Sequence, residues 1–257
     1  MSTSDWLTQK PMPISKISQR RTRVIGHRGG AGLAPENTMA AFRNAATLGI
    51  DGIECDVMLS ADGHIIVYHD DDLSRLTNGT GISFEKTLAE LKKLDAGAKF
   101  DSKFAGERIP VLSEVFDFMQ GNDLLLFLEL KSPLRFPGIE QQVVDLIHEY
   151  DYMDRILVQS FYHDSLDIVH TIAPEISIAE LWLDRIPAAD ESRFRTINPL
   201  FTFYTPEIIE EVHARGQQTA AWTVNDMEAA RQLIAAGIDA ITTDYPDQVM
   251  ELFSNES

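Results

Sequence analysis

The feature that most narrows the possible folds is a rhythm that sets in at Arg23. Short apolar runs of strand length alternate with amphipathic stretches of helix length. VIGH, DGIECDVML, DLLLFLELK, RILVQSF, EISIAELWL, RTINP, QQTAAWTV and IDAITTD read as strands. NTMAAFRNAATLG, LSEVFDFMQG, IEQQVVDLIHEY, HDSLDIVHTIA, TPEIIEEVHARG, NDMEAARQLIAAG and PDQVMELF read as helices, with a short or irregular helix over Ile186 to Phe194. Asn37 is the expected N-cap of the first helix. Pro206 falls in the first turn of the TPEIIEEVHARG helix, and Gly216 follows it. Alternating βα units predict a parallel sheet. Eight of them in 257 residues favour a (β/α)₈ TIM barrel, which typically takes about 250 residues. An open doubly wound sheet is the competing architecture, but no G-x-G-x-x-G follows the first strand.

Two segments stand outside the rhythm. Residues 1–22 are polar and basic, lack the apolar stretch of a secretory signal, and read as a flexible arm ahead of a barrel over 23–253. Residues from about 70 to 108 are polar, contain NGTG and the short amphipathic run FEKTLAELKKL, and read as an insertion after the second strand. A long excursion on the active face of a barrel is expected to cover or shape the site.

The net charge of −18 argues against a nucleic-acid partner and against docking on anionic lipid, since both favour basic surfaces. No run approaches the ~20 apolar residues of a membrane span, so stable membrane insertion is not expected. Cys55 is the single cysteine, which excludes an intrachain disulfide and suits a reducing, cytoplasmic setting.

The chemistry-bearing residues lie where the strands end, the face on which barrels of this kind place catalytic groups. The first strand ends in His27-Arg28-Gly29-Gly30, with Arg28 a fixed, forked cation suited to phosphate oxygens. In GIECDVML, Glu54 and Asp56 share one strand face and Cys55 takes the other, where it packs. SADGH reads as a turn and HIIVYH as a returning strand that delivers His69 beside the carboxylates. The third strand ends in Glu129-Leu130-Lys131, and the seventh carries Trp222. Asp244, at the end of the last strand, is read as a partner of Arg28 and left out of the catalytic set. Each signal alone has a plain structural explanation: a satisfied histidine, an ion pair in the lumen, a packed tryptophan. Together they place three carboxylates, two histidines, an arginine and a lysine on strands one to three, and burying so many charges without a use is costly. Three carboxylates against two cations leave room for a divalent ion and a phosphodiester. The oxygen donors suit Mg²⁺ or Ca²⁺.

VIGHRGGAGLAPENTMAAF, GIECDVMLSADGHIIVYHDDDLSRLTNGTG, LFLELK, VQSF, AWTVND and GIDAITTDYPD resemble the successive blocks of the glycerophosphodiester phosphodiesterases, from about Val24 to Pro246. The resemblance implies a (β/α)₈ barrel with an insertion after the second strand. It implies that Glu54, Asp56 and Glu129 bind the metal, that His27 and His69 form the acid–base pair, and that Arg28 and Lys131 hold the phosphate. INPLFTFYTPE and ELWLD follow the family loosely and are the regions expected to recognise the alcohol. Trp222, Phe203 and Trp182 are the substrate-pocket candidates, and with Phe201 the only candidates for the apolar mouth an acylated substrate would need. The reading reached is metal-dependent hydrolysis of a small-molecule glycerophosphodiester to sn-glycerol 3-phosphate and an alcohol. A lysophospholipase D acting on acylated substrates is an alternative within the class. A barrel that binds phosphodiester or metal without turnover is one outside it.

Overall fold

The computed structural model describes residues 8–17 and 21–254. Its strands are β1 (Arg23–Gly26), β2 (Gly52–Leu59), β3 (Ile65–Val67), β4 (Leu125–Leu130), β5 (Ile156–Ser160), β6 (Ser177–Trp182), β7 (Thr196–Pro199), β8 (Gln218–Ala221) and β9 (Ala240–Thr243). Eight of them run parallel and close into a barrel, because β1 pairs with β2 on one side and with β9 on the other. β3 stands outside the ring and pairs antiparallel to β2 as the second arm of a hairpin. The outer layer holds α1 (Met39–Ala46), α3 (Leu112–Gln120), α4 (Ile139–Glu149), α5 (His163–Ile172), α6 (Pro206–Ala214), α7 (Met227–Ala236) and α8 (Pro246–Ser254). A one-turn helix, α2 (Leu88–Leu91), lies within the insertion and is closed by a Thr87/Glu90 capping box.

Strand alternation divides the side chains between two cores. Ile53, Cys55 and Val57 of β2 and Leu126, Leu128 and Leu130 of β4 point outward into the large core under the helices. Their neighbours point into the lumen. Ile25, Phe127, Leu157, Ala179, Ala220 and Ala240 form an apolar layer in the lower lumen, and Met12 joins it.

Met12 corrects the expectation of a free arm over its described part. Residues 8–17 cross the end of the barrel where the strands begin. The Met12 amide donates to Gln218 Oε1 at 2.6 Å, Ser177 Oγ donates to the Pro11 carbonyl at 2.7 Å, and the Arg195 amide donates to Gln9 Oε1 at 3.0 Å. The cause is the Met12 side chain, which is 1% exposed and stoppers the lumen. The remainder of the expected arm lies outside the described residues except Arg21 and Thr22.

Two local expectations also change. Thr38, not Asn37, caps α1, its hydroxyl accepting from the Ala41 amide at 3.3 Å. Asn37 instead adopts a left-handed backbone (φ 54°) that asparagine tolerates, and turns its amide toward β2. No helix forms over Ile186 to Phe194. Glu180 is buried beneath that stretch, on the outer side of β6, and accepts from the Ser192 hydroxyl at 2.6 Å and the Arg193 amide at 2.9 Å. A buried carboxylate must be satisfied, and satisfying it from the backbone holds the segment irregular.

Candidate active site

β1 ends at Gly26, and a 3₁₀ turn over His27–Gly29 lifts His27 and Arg28 to the mouth. The turn needs its glycine: Gly29 has φ +84°, and a Cβ there would meet Ala41 Cβ at 2.8 Å. Arg28 itself is left-handed (φ 52°), and Ser132, next to Lys131, is as well (φ 46°). With Asn37, three of the four non-glycine residues of positive φ among the described residues stand around this mouth, the kind of backbone strain that collects at functional sites.

In register, Asp56 of β2 faces Glu129 of β4. Oxygens of Glu54, Asp56 and Glu129 all come within 4.8 Å of one another, and all three residues are buried. Burial, then Asp56 and Glu129, push the Glu54 carboxyl well above the ordinary range. Burial and Asp56 raise Glu129 to about 7 against the pull of Lys131. Asp56 goes the other way: burial would raise it, but Arg28, His69 and Lys131 hold it below the ordinary value. A buried cluster in which two of three carboxylates resist ionising calls for more positive charge than the protein supplies. Hard oxygen donors in this arrangement fit a divalent cation.

The cations sit beside this cluster. Lys131 Nζ donates to Glu129 at 3.0 Å and lies 3.9 Å from Asp56. Arg28 Nε is 3.2 Å from Asp56, and its backbone amide donates to Glu54 at 2.9 Å. The Arg28 fork also donates to Glu36 at 2.6 Å, a partner absent from the sequence reading. Burial would lower the Arg28 pKa, but Asp56, Glu36 and Glu54 more than offset it, so the guanidinium stays charged. Asn37 donates to Asp56 at 2.8 Å and orients it.

Each histidine has its own aspartate. His27 Nδ1 donates to Asp244 at 2.6 Å, and His69 Nδ1 donates to Asp70 at 2.6 Å. Carboxylates only accept, so Nε2 of each ring is left for the site; His27 Nε2 lies 4.0 Å from Glu54. Asp244 therefore pairs with His27, not with Arg28 as its place in the sequence suggested. It is held in turn by Asn225 at 2.6 Å. Burial would raise Asp244, but His27 and Asn225 bring it below the ordinary carboxylate value. Residue-by-residue reading passes over Asp70 and Glu36, whose only trace is their place inside the HDDD and PENT runs, and gives Asp244 and Asn37 other partners.

The aromatic candidates separate. Trp222 follows β8 at the mouth, donates its indole N–H to the Asn198 carbonyl at 2.9 Å, and meets Phe161 edge-on at 5.3 Å. Lys131 Nζ lies 5.9 Å over that Phe161 ring, so Trp222 and Phe161 wall the lysine side. Phe203 sits half-buried in the 3₁₀ turn Phe201–Phe203 that follows β7 at the same end. Trp182 is not brought into this group. It is out of phase with lumen-facing Ala179, and packs on His163 at 4.6 Å with Arg185 over its ring at 5.1 Å.

Fold and site together define a (β/α)₈ barrel whose mouth joins an acidic, cation-demanding cluster to two aspartate-held histidines and two fixed cations. Comparison with known proteins agrees. Residues 27–248 match the model of the Glycerophosphoryl diester phosphodiesterase family. A glycerophosphodiester phosphodiesterase of Caldanaerobacter subterraneus is 42% identical over 90% of this chain and 98% of its own length. One from Bacillus altitudinis is 37% identical, with the same two shares. Among solved structures, a phosphodiesterase of Oleispira antarctica in complex with its product sn-glycerol-3-phosphate superposes with a TM-score of 0.82 at 33% identity, covering 90% of this chain and 96% of the other. The chain belongs to the glycerophosphoryl diester phosphodiesterase family.

Proposed function

We propose that the protein hydrolyses glycerophosphodiesters to sn-glycerol 3-phosphate and a free alcohol, with a divalent cation, Mg²⁺ or Ca²⁺, held by Glu54, Asp56 and Glu129. The observation that carries this is the buried carboxylate cluster flanked by Arg28, Lys131 and two aspartate-bound histidines. When bound, the cation supplies charge neutralisation for phosphate oxygens and a contact that orients the glycerol hydroxyl. Arg28 and Lys131 bind the phosphoryl oxygens and stabilise the charge that develops there.

His27 Nε2 takes the proton of the glycerol 2-hydroxyl, whose oxygen attacks phosphorus. His69 Nε2 protonates the alcohol as its bond to phosphorus breaks. The attack is intramolecular, and proximity of this kind is worth up to about 7 kcal/mol or more. Water then opens the cyclic phosphate with the two histidines in exchanged roles. Asp244 and Asp70 hold the rings in the tautomer that presents Nε2. The lone, buried Cys55 is consistent with a reducing cytoplasmic setting for this step of glycerophospholipid breakdown. Among the described residues no helix is long and apolar enough to cross a membrane.

One observation favours a second reading. Leu134, Tyr162 and Leu183 are exposed on the segments that follow β4, β5 and β6, at the end of the barrel that carries the site, and a lysophospholipid acyl chain would give such side chains cover.

A head-group panel decides between them. Glycerophosphocholine, glycerophosphoethanolamine and lysophosphatidylcholine are each incubated with and without chelator, with glycerol 3-phosphate and lysophosphatidate as the readouts. Metal-dependent release of glycerol 3-phosphate is expected. Turnover of the lysolipid alone would move the assignment to lysophospholipase D, and binding without product would make the barrel a sensor.

A further inference from the structure

The insertion reaches the mouth through one side chain. Arg75 donates Nη1 and Nη2 to the two carboxylate oxygens of Glu36, at 2.9 and 2.8 Å, and Nε to Asp70 Oδ2. Glu36 passes the contact on to the Arg28 guanidinium at 2.6 Å, and Asp70 passes it to His69 Nδ1 at 2.6 Å. Arg28, Glu36, Arg75, Asp70 and His69 thus form an unbroken run of side-chain hydrogen bonds. It joins the phosphate-binding cation on the β1 turn to the histidine at the end of the β3 hairpin.

We propose that Arg75 is a positioning residue: it sets His69, and with it the leaving-group side of the reaction, at a defined place relative to Arg28. This rests on the assignment of Arg28 to phosphate and of His69 to the departing alcohol. The reason lies in guanidinium geometry. Three N–H directions fixed in one plane hold two carboxylates at a set angle, which neither a lysine nor water can do. Without that fork, Glu36 and Asp70 are like charges with nothing between them. Asp70 would keep its bond to His69 but lose the contact that fixes its own second oxygen. Burial would raise Glu36, yet Arg75 and Arg28 bring it below the ordinary value, so the junction is ionised. The Arg75 side chain is 48% exposed, so its ion pairs are partly screened by solvent. Its removal should therefore register more in catalysis than in folding.

The test uses two esters of sn-glycerol 3-phosphate, one with choline and one with 4-nitrophenol. The nitrophenolate departs without needing a proton, so a defect in acid catalysis shrinks with it. Arg75→Gln is expected to lower kcat on the choline ester by about 10–100-fold, the range seen when a partner that orients a metal-ligating side chain is removed. The loss on the nitrophenyl ester should be under about threefold, so that any fall in Tm is shared by both assays and the difference between the esters is not. Arg75→Lys should recover part of the loss, and added to His69→Ala, Arg75→Gln should cost little more than His69→Ala alone.

Equal losses on the two esters, losses that multiply in the double variant, or full recovery by lysine would overturn the role of Arg75. If His69→Ala itself showed no preference between the esters, the assignment of His69 to the alcohol would fall instead. Arg75→Lys keeps the charge and gives the same readouts if Arg75→Gln proves poorly folded.

Discussion

The lower and upper halves of the barrel lumen are built on the same strands and obey opposite rules. Below, Ile25, Phe127, Ala220 and Ala240 pack with Met12 into an apolar layer. Two residues further along, the same strands present His27, Glu129, Trp222 and Thr242. Since residues two apart on a strand share a face, a single pleat, about 7 Å of chain, separates a core from a site. Level with Glu129, its register partner Gln159 accepts from the Asn198 amide at 2.9 Å, so the upper lumen is polar beyond the carboxylates as well. The lesson is one of division. The lower lumen can be optimised for packing because the helices and Met12 cover it. The upper lumen holds mutually repelling carboxylates that weaken the fold until a cation joins them.

The sharpest way to break this comparison is Glu129→Gln. Turnover should fall below detection as cation binding is lost, yet the metal-free protein should be no less stable than its parent. In the parent, the Glu129 pKa is raised to about 7. The stability tied to it is thus fully present below the ordinary carboxylate range and is lost as pH rises through 7. Melting curves of chelated protein between pH 5 and 8 should slope downward for the parent and more weakly for the variant. Parallel slopes would mean that the charge of Glu129 is not a burden on the fold.

A smaller effect separates scaffold from chemistry at the mouth. Asp244→Asn keeps the shape beside His27 but removes the acceptor charge and allows the wrong tautomer, as does Asp70→Asn beside His69. Each should lower kcat by about 10²–10⁴-fold with KM little changed. A pure KM effect would show that the aspartates act on binding.

The smallest effect on activity, and the clearest on stability, belongs to Met12→Ala. Truncating this buried side chain should cost about 2 kcal/mol or more, read as a lower denaturation midpoint, while kcat stays at the parent value. A loss of activity without a loss of stability would tie the two halves together after all.

Much of this was legible because it depends on short-range order. The parity of Glu54, Cys55 and Asp56 follows from two-residue alternation, and Asp56 and Glu129 prove to face each other across β2 and β4. The ends HRGG, HD and E-x-K announce themselves by composition. What could not be read has the opposite character. Asp244 meets His27 across 217 positions, and Arg75 meets Glu36 across 39. Asn37 stands one residue before Thr38 with equal capping chemistry, and only the demand of Asp56 for a donor decides between them. Ile186 to Phe194 carries a helical pattern that the buried Glu180 overrules.

By itself, then, the sequence determined the order of the strands and of most of the helices between them, the face that β2 and the end of β4 turn inward, and which strand ends carry reactive groups, because periodicity and turn chemistry act over a few residues. Only the tertiary structure decided which aspartate serves which histidine, where the insertion touches the site, and that a segment ahead of the first strand seals the lumen. Apart from the pairing of Asp70 with His69, which are chain neighbours, those are contacts between groups distant in the chain, and the tertiary fold, not any local preference, brings them within hydrogen-bonding distance.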